Sequence, residues 1–240
     1  MKSVLVDSHA PEKAKEKLFR LGFNVIELPT SKHLPNGISA HPDSLLFRLD
    51  RQIVTFADYC DEAAYVFSDI REAHPEYSVT FSAQTPSQSY PHDAKYNALV
   101  IGKKVFLRLA SASSTVKETA TASGYELIDV KQGYPACATL VLDDSHAITS
   151  DKGLCKVLSE NGINVTLIEA GSIALPPYEY GFIGGTAGVF DKTVYFIGDY
   201  KTHPSAKAIE KAIDSLGLKT VSLSDGLLTD VGGLIFLDKA

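Results

Sequence analysis

The stretch that decides the fold runs from Gly184 to Leu228 and reads GGTAGVFDKTVYFIGDYKTHPSAKAIEKAIDSLGLKTVSLSDGLL. It begins with a short apolar run over residues 187–190, followed by the two-residue turn Asp191-Lys192. A second run over residues 193–197 is rich in β-branched and aromatic side chains. Two such runs joined by a two-residue turn predict a β-hairpin.

A helix and a third strand are predicted after this hairpin. Pro204 stands where the first turn of a helix tolerates a missing N–H, and apolar residues then recur at helical spacing as far as Leu216. Gly217 is typical of a helix end, and residues 218–223 again form a strand pattern. The stretch is therefore a strand–turn–strand–helix–strand unit.

The same order of elements recurs along the chain. Further hairpins are predicted over residues 44–56, 98–109 and 139–149, and the two termini together supply a fifth unit. Equivalent positions, at intervals of 41 to 54 residues, are Leu45, Leu99, Leu140, Gly188 and Leu234. Repeats of this length bury their apolar faces on their neighbours. We therefore predict a single domain over residues 1–240, an α/β propeller of five pseudo-symmetric ββαβ repeats. An open α/β sheet, whose strands and helices also alternate, is the alternative.

The composition excludes several classes of protein. The 240 residues are 45% hydrophobic, which suffices for one sizeable core. The net charge of −6 offers no basic surface for nucleic acid, and no apolar run reaches the roughly 18 residues of a membrane helix. The three cysteines cannot all pair, and the N-terminus lacks the apolar core of a signal peptide. We expect a cytoplasmic protein that binds neither nucleic acid nor membrane.

Polar and reactive residues gather in the segments that precede the first strand of each unit, here called the pre-strand segments. A ring brings these five segments together at one end, near its axis. Their polar or reactive members are His41, Asp43, Asn97, Cys137, Glu179, Thr186 and Asp230. A cysteine and a histidine in one cleft, with carboxylates, are the components of nucleophilic catalysis.

Several of these residues also have a structural interpretation. His41 and Asp43 would face the same side of an extended segment, but Pro42 and Asp43 are equally suited to a turn. Asn97 is able to contact a ligand or to close a turn. Cys137 follows glycine and proline at a loop–strand junction, whereas a cysteine on a strand is more often a small core residue.

The chain resembles the pentein superfamily, the fold of guanidino-group-modifying enzymes such as arginine deiminase, dimethylarginine dimethylaminohydrolase and the amidinotransferases. The family's His-x-Asp motif is similar to His41-Pro42-Asp43, and the Ala-Asn pair of the dimethylarginine enzymes is similar to Tyr96-Asn97. The glycine-containing segment 133–137 looks like the one that ends in the family's cysteine. Because Cys137 lies in mid-chain rather than near the C-terminus, the resemblance implies a circularly permuted ring.

The resemblance implies a cysteine-dependent hydrolase or transferase that acts on a guanidine or amidine C–N bond of a small arginine-like molecule. Cys137 would attack the amidino carbon, and His41 would move protons. Asp43, with Asp230 or Glu179, would bind the cation. Asn97 and Thr186 complete the predicted substrate-binding set, and neither a metal nor an organic cofactor is implied.

A non-catalytic binding or interaction module of the same fold is the alternative function. The two hypotheses differ at Cys137. An enzyme needs an exposed thiol of low pKa within reach of His41. A module predicts a buried or inert thiol and an apolar surface patch elsewhere. The sequence leaves the oligomeric state open.

Overall fold

The computed structural model describes residues 2–238, which form five small sheets of three strands each. In four of the sheets, two consecutive strands pair as an antiparallel hairpin. The strand that follows the next helix then pairs in parallel with the second hairpin strand. Within the described range the strands are β1 (Lys2–Asp7), β2 (Phe23–Leu28), β3 (Phe47–Leu49), β4 (Gln52–Phe56), β5 (Ser78–Ser82), β6 (Leu99–Ile101), β7 (Lys104–Leu107), β8 (Glu126–Asp129), β9 (Thr139–Asp143), β10 (His146–Thr149), β11 (Asn164–Leu167), β12 (Ala187–Phe190), β13 (Thr193–Phe196), β14 (Lys219–Ser222) and β15 (Ile235–Leu237).

The fifth sheet joins the two ends of the chain. β15 pairs antiparallel with β1, so that Phe236 lies opposite Val4. β1 in turn pairs in parallel with β2. The prediction that both termini build the fifth repeat is confirmed.

Helices connect the hairpins to the third strands and cover the outside of the ring. In α8, for example, Ile209 and Ile213 are buried while Lys207 and Glu210 are exposed, as expected for a helix with one apolar face. The α-helices are α1 (Glu12–Arg20), α2 (Pro42–Leu45), α3 (Ala57–Glu62), α4 (Ala64–Ala73), α5 (Ser114–Ala122), α6 (Pro135–Ala138), α7 (Lys152–Glu160) and α8 (Ala206–Asp214). Short 3₁₀ turns occupy Asn36–Ile38, His92–Ala94, Gly184–Thr186 and Tyr200–Thr202. In the part of the chain that the structure describes, every helix is too short or too polar to cross a membrane.

The first strands of the five sheets surround a central opening of about 530 Å³ on the side of the hairpin turns. Each of these strands contributes to its wall, for example through Phe47, Leu99, Leu140, Gly188 and Ile235. Apolar clusters fill the spaces between neighbouring sheets and the helices. The five-fold α/β propeller is therefore confirmed, and the open-sheet alternative is wrong.

Two of the pre-strand segments contain a single helical turn, so at Pro42 and Asp43 the turn interpretation holds and the extended one does not. α2 begins at Pro42 and α6 at Pro135, because the fixed φ of proline and its missing N–H suit the first position of a helix. His41 is extended, but Asp43 lies inside α2, so the alternation of an extended chain does not apply to this pair. A single helical turn, rather than a strand start, positions Asp43 and Cys137.

Candidate active site

Cys137 lies near the ring axis, in the single turn of α6, and is only 5% exposed. Its thiol donates towards the carboxylate of Asp230, with Sγ 3.2 Å from Oδ2 and 3.4 Å from Oδ1. Asn97 supports this turn, because its Oδ1 accepts a hydrogen bond of 2.8 Å from the backbone N–H of Ala136. The thiol is thus held between the first turn of one repeat and an acid from another.

The Asp230 carboxylate is buried and fixed by the backbone. Phe182 N–H donates to Oδ2 at 2.8 Å, and Gly232 N–H donates to Oδ1 at 3.0 Å. A Cβ at Gly185 would overlap this carboxylate, so the close approach requires glycine there. Burial raises the pKa of Asp230 to about 6, although the two backbone hydrogen bonds oppose the rise. At neutral pH Asp230 therefore carries a negative charge.

Asp43 places a second carboxyl group beside Cys137. Its Oδ1 accepts a hydrogen bond of 3.2 Å from Ser44 Oγ, and its Oδ2 is buried without a hydrogen-bond partner. Burial, and then the negative charge of Asp230, raise the pKa of Asp43 to about 8. A pKa of about 8 favours a protonated Asp43 at neutral pH, and a cation placed between the two acids would favour its ionised form.

His41 lies between two acids. Its Nδ1 is 3.9 Å from Asp230 Oδ1, and its Nε2 is 3.7 Å from Asp7 Oδ2. Burial, with the nearby charge of His9 as a smaller cause, lowers the pKa of His41 to about 3. The imidazole is therefore neutral at neutral pH, which is the form able to accept a proton.

Asp7 is a site residue that sequence reasoning missed. It ends β1, is only 3% exposed, and accepts a hydrogen bond of 2.6 Å from the backbone N–H of His9. Burial raises its pKa. The signal in the sequence was an acid at the end of a buried apolar strand, at the same end of the ring as the pre-strand segments.

The predicted substrate-binding residues fall into different places. Asn97 lies beside α6, and its buried Nδ2 has no hydrogen-bond partner. Glu179 is exposed and lies at the rim of a cavity that Cys137 also lines. Thr186 is fully buried and donates to the carbonyl of Ile183 at 2.8 Å, so its hydroxyl closes a 3₁₀ turn and does not line that cavity.

The cavity has a volume of about 240 Å³, and both Cys137 and His41 line it. Its other walls are mostly apolar or aromatic, and they include Ile38, Tyr134, Leu175, Tyr178, Tyr180 and Phe182. Asp43 instead faces the larger central opening on the other side of the ring. The cysteine and histidine therefore face one entrance, and the unpartnered carboxyl group lies behind them.

The Cys137 thiol, the His41 imidazole and the Asp230 carboxylate are close enough to act together. One donor atom each from His41, Cys137 and Asp230 lies within 4.8 Å of the other two. Such a set is able to hold a metal ion, but it equally suits covalent catalysis, in which a thiol, a base and a cation-binding acid surround one reacting carbon. Proteins of the same fold help to decide between metal binding and covalent catalysis.

A model of the DUF6873 family, described as a family of unknown function, matches residues 5–235. The chain belongs to this family. A search of curated protein sequences finds no match.

Solved structures share the fold at low sequence identity. Dimethylarginine dimethylaminohydrolase from Pseudomonas aeruginosa, a cysteine-to-serine mutant complexed with citrulline, is 11% identical with a TM-score of 0.58, covering 92% of this chain and 91% of its own. Agmatine deiminase from C. jejuni is 8% identical, with a TM-score of 0.56 and coverages of 92% and 87%. The N-terminal domain of a cyanobacterial arginine dihydrolase, bound to its substrate, is 13% identical, with a TM-score of 0.56 and coverages of 92% and 91%. The predicted pentein fold is confirmed, and the chemistry has to be argued from the site.

Proposed function

We propose that this protein is a cysteine-dependent hydrolase or transferase that cleaves a C–N bond at the guanidine or amidine carbon of a small molecule. The observation that carries the proposal is the meeting of His41, Cys137 and Asp230 within 4.8 Å, with His41 and Cys137 at one wall of a cavity. Enzymes of the same fold act on such groups, which supports the proposal.

The charges around the thiol complement a planar cation. Asp230 is ionised at neutral pH, and Asp43 is ready to ionise when a positive charge approaches. Neither acid forms an ion pair with a lysine or arginine among residues 2–238; the basic side chain that Asp230 approaches is the neutral imidazole of His41. A guanidinium bound beside Cys137 would supply the missing positive charge.

The resting thiol is not the exposed, low-pKa group that was expected for an enzyme. Cys137 is buried, and its pKa lies well above the ordinary value, because burial and then the charges of Asp230 and Asp43 oppose a thiolate. A bound cation reverses the electrostatic part of this effect, since an adjacent positive charge favours the thiolate. The substrate itself would therefore activate the nucleophile, because its positive charge offsets the effect that raises the pKa of Cys137.

The reaction then proceeds in two stages, the formation and the hydrolysis of a covalent intermediate on Cys137. His41 accepts the thiol proton, and the thiolate of Cys137 forms a C–S bond to the amidino carbon. The imidazolium returns the proton to the departing nitrogen, the C–N bond breaks, and an amidino thioether remains on Cys137. Water attacks the same carbon and loses a proton to His41, the C–S bond breaks to release a urea or amide product, and the imidazolium returns the proton to the Cys137 thiolate. An amine in the place of water gives a transferase.

The buried thiol also favours a second candidate function, the non-catalytic module. A cysteine that is 5% exposed with a raised pKa fits an inert core residue. In that case the apolar surface at the end of α1, where Phe19 is 73% and Leu21 47% exposed, is the better place to look for a partner.

Turnover and trapping of the intermediate test the proposal. The protein and a Cys137→Ser variant are incubated with methylguanidine, agmatine, arginine and pentylguanidine, and amine, ammonia and urea-type products are measured. Acid-quenched samples are analysed by intact mass spectrometry and peptide mapping. We expect product from at least one compound and an amidino adduct on Cys137, both lost in the variant. Product formation that survives Cys137→Ser, or no product and no adduct with any guanidine or amidine, would contradict the proposal.

A further inference from the structure

The walls of the cavity in front of Cys137 restrict what the rest of the substrate can be. Ile38, Leu175 and Phe182 present apolar surface, and Tyr134, Tyr178 and Tyr180 present aromatic rings. Apolar and aromatic walls favour an apolar ligand by removing its surface from water. The volume of about 240 Å³ suits a small molecule.

Within the described part of the chain, the same walls offer no positively charged side chain to a carboxylate. Among the residues that the structure describes, no lysine or arginine lines this cavity. Glu179, its charged rim residue, would repel an anionic group. An amino acid such as arginine would have to leave its carboxylate unpaired beside apolar walls, which is unfavourable.

The arginine in this region is already engaged. Arg108 donates from Nη1 to the Tyr90 hydroxyl at 2.8 Å, and its guanidinium lies 5.4 Å from the centre of the Tyr90 ring. Tyr90 in turn packs against Tyr134, with ring centres 6.0 Å apart. One aromatic ring therefore separates Arg108 from the wall of the cavity.

A buried acidic residue lies behind the wall. Asp93 is buried, one of its oxygens has no hydrogen-bond partner, and its carboxyl group interacts with the Tyr134 hydroxyl. Because Tyr134 stands between Asp93 and the cavity, the surface that a ligand meets there remains the aromatic ring.

We infer that the substrate of this site is an alkyl or aralkyl guanidine, or the matching amidine, whose tail is apolar and carries no carboxylate. This inference rests on the proposed function, because it concerns the part of the substrate that lies outside the reacting carbon. Glu179 and the aromatic wall act as specificity determinants, and Cys137, His41 and Asp230 serve the common guanidine group.

The test measures binding rather than turnover. Calorimetry on the Cys137→Ser protein compares pentylguanidine, agmatine and arginine, which carry a methyl, an ammonium and an amino-acid end on similar chains. Methylguanidine, without a tail, reports the guanidine site alone. We expect pentylguanidine to bind at least about tenfold more tightly than arginine, and more tightly than agmatine by a smaller factor, because Glu179 attracts the ammonium of agmatine. Arginine or agmatine binding as tightly as pentylguanidine would overturn the inference.

Rim variants provide a matched control. Glu179→Arg should strengthen arginine binding by about tenfold and leave pentylguanidine within about twofold, whereas Glu179→Gln should change arginine binding less. Failure of this inference differs from failure of the proposed function. If methylguanidine binds but arginine is the preferred ligand, only the inference of an apolar tail is overturned. If no guanidine binds, both the inference and the proposed function are overturned.

Discussion

The two pre-strand turns α2 and α6 share a scaffold but differ in chemistry. Each begins at a proline, and in each a threonine from the neighbouring strand donates to the carbonyl that ends the turn. Thr55 Oγ1 bonds to Leu45 O at 2.8 Å, and Thr149 Oγ1 bonds to Ala138 O at 2.7 Å. The repeated fold therefore produces the same turn twice, and the side chains placed on it decide what each turn can do.

Counted from the prolines, the equivalent residues are different in kind. Ser44 stands where the other turn has Cys137, and His41 stands where it has Tyr134. One turn thus provides the histidine and an acid, and the other provides the thiol. Substituting the side chains at equivalent positions of the two turns one at a time, while the scaffold stays intact, tests this division.

The largest expected effect is at the position shared by Cys137 and Ser44. Cys137→Ala should lower turnover of a responsive guanidine by at least about 10³-fold, because covalent catalysis is lost. Ser44→Ala removes one hydrogen bond to Asp43 and should cost less than about tenfold. Steady-state assays on both variants, with circular dichroism to verify folding, check the prediction. Equal losses in the two variants would mean that the turns are not divided as described.

The next effect is at the position shared by His41 and Tyr134. His41→Ala should reduce kcat by about 10²–10⁴-fold, because the proton carrier is removed. Tyr134→Phe keeps the ring and should change kcat by less than about tenfold. The measurement is kcat across a pH series for each variant. A His41→Ala protein with unchanged kcat would show that another group moves the proton.

A smaller effect concerns the stability of the turn that carries Asp43. Because burial raises the pKa of Asp43 to about 8, the folded protein holds a proton that the unfolded chain releases near pH 4. This contribution is present at low pH and is lost as pH rises towards 8. Between pH 5 and 8.5, the unfolding free energy of Asp43→Asn should therefore fall by about 2–4 kcal/mol less than that of the wild type.

Urea titrations at the two pH values measure the difference. Asp225→Asn, at a side chain 93% exposed, is the control and should leave the decline unchanged. An Asp43→Asn protein that loses stability with pH as the wild type does would show that the buried carboxyl group is not the one responsible.

The smallest effect tests the scaffold itself. Thr55→Val and Thr149→Val each leave a buried carbonyl without its partner and should lower the unfolding free energy by about 1–2 kcal/mol. Denaturant titrations should give similar values, since the two hydrogen bonds are equivalent. A large loss at one threonine and none at the other would contradict the equivalence of the turns.

The fold could be predicted because its signals are local. Alternating apolar residues, two-residue turns such as Asp191-Lys192 and helix ends such as Gly217 recur in each repeat, and the repeat number follows from their spacing. The pre-strand residues were predicted to converge, and the structure brings His41, Cys137 and Asp230 together with Asp43.

Other features depend on packing that no short pattern contains. Asp7 ends β1 and meets His41 only through the packing of β1 against α2 of the next repeat. Thr186 turns inward to the carbonyl of Ile183. The high pKa of Cys137 arises from burial and from the charges of acids in two other repeats. Sequence positions alone do not reveal these distances.

The most direct test of the central claim is the charge dependence of Cys137 alkylation. Chloroacetamidine carries a positive charge, and chloroacetamide is its neutral counterpart. The rate of each is measured at Cys137 by peptide mass spectrometry and normalised to the rates at Cys60 and Cys155 in the same sample. The quantity compared is the rate of alkylation by chloroacetamidine divided by the rate by chloroacetamide. If a cation activates the thiol, this ratio should be at least about tenfold higher at Cys137 than at the other two cysteines, and His41→Ala should reduce the difference. The same ratio of the two alkylation rates at all three cysteines would contradict this activation, and the non-catalytic module would then be the better hypothesis.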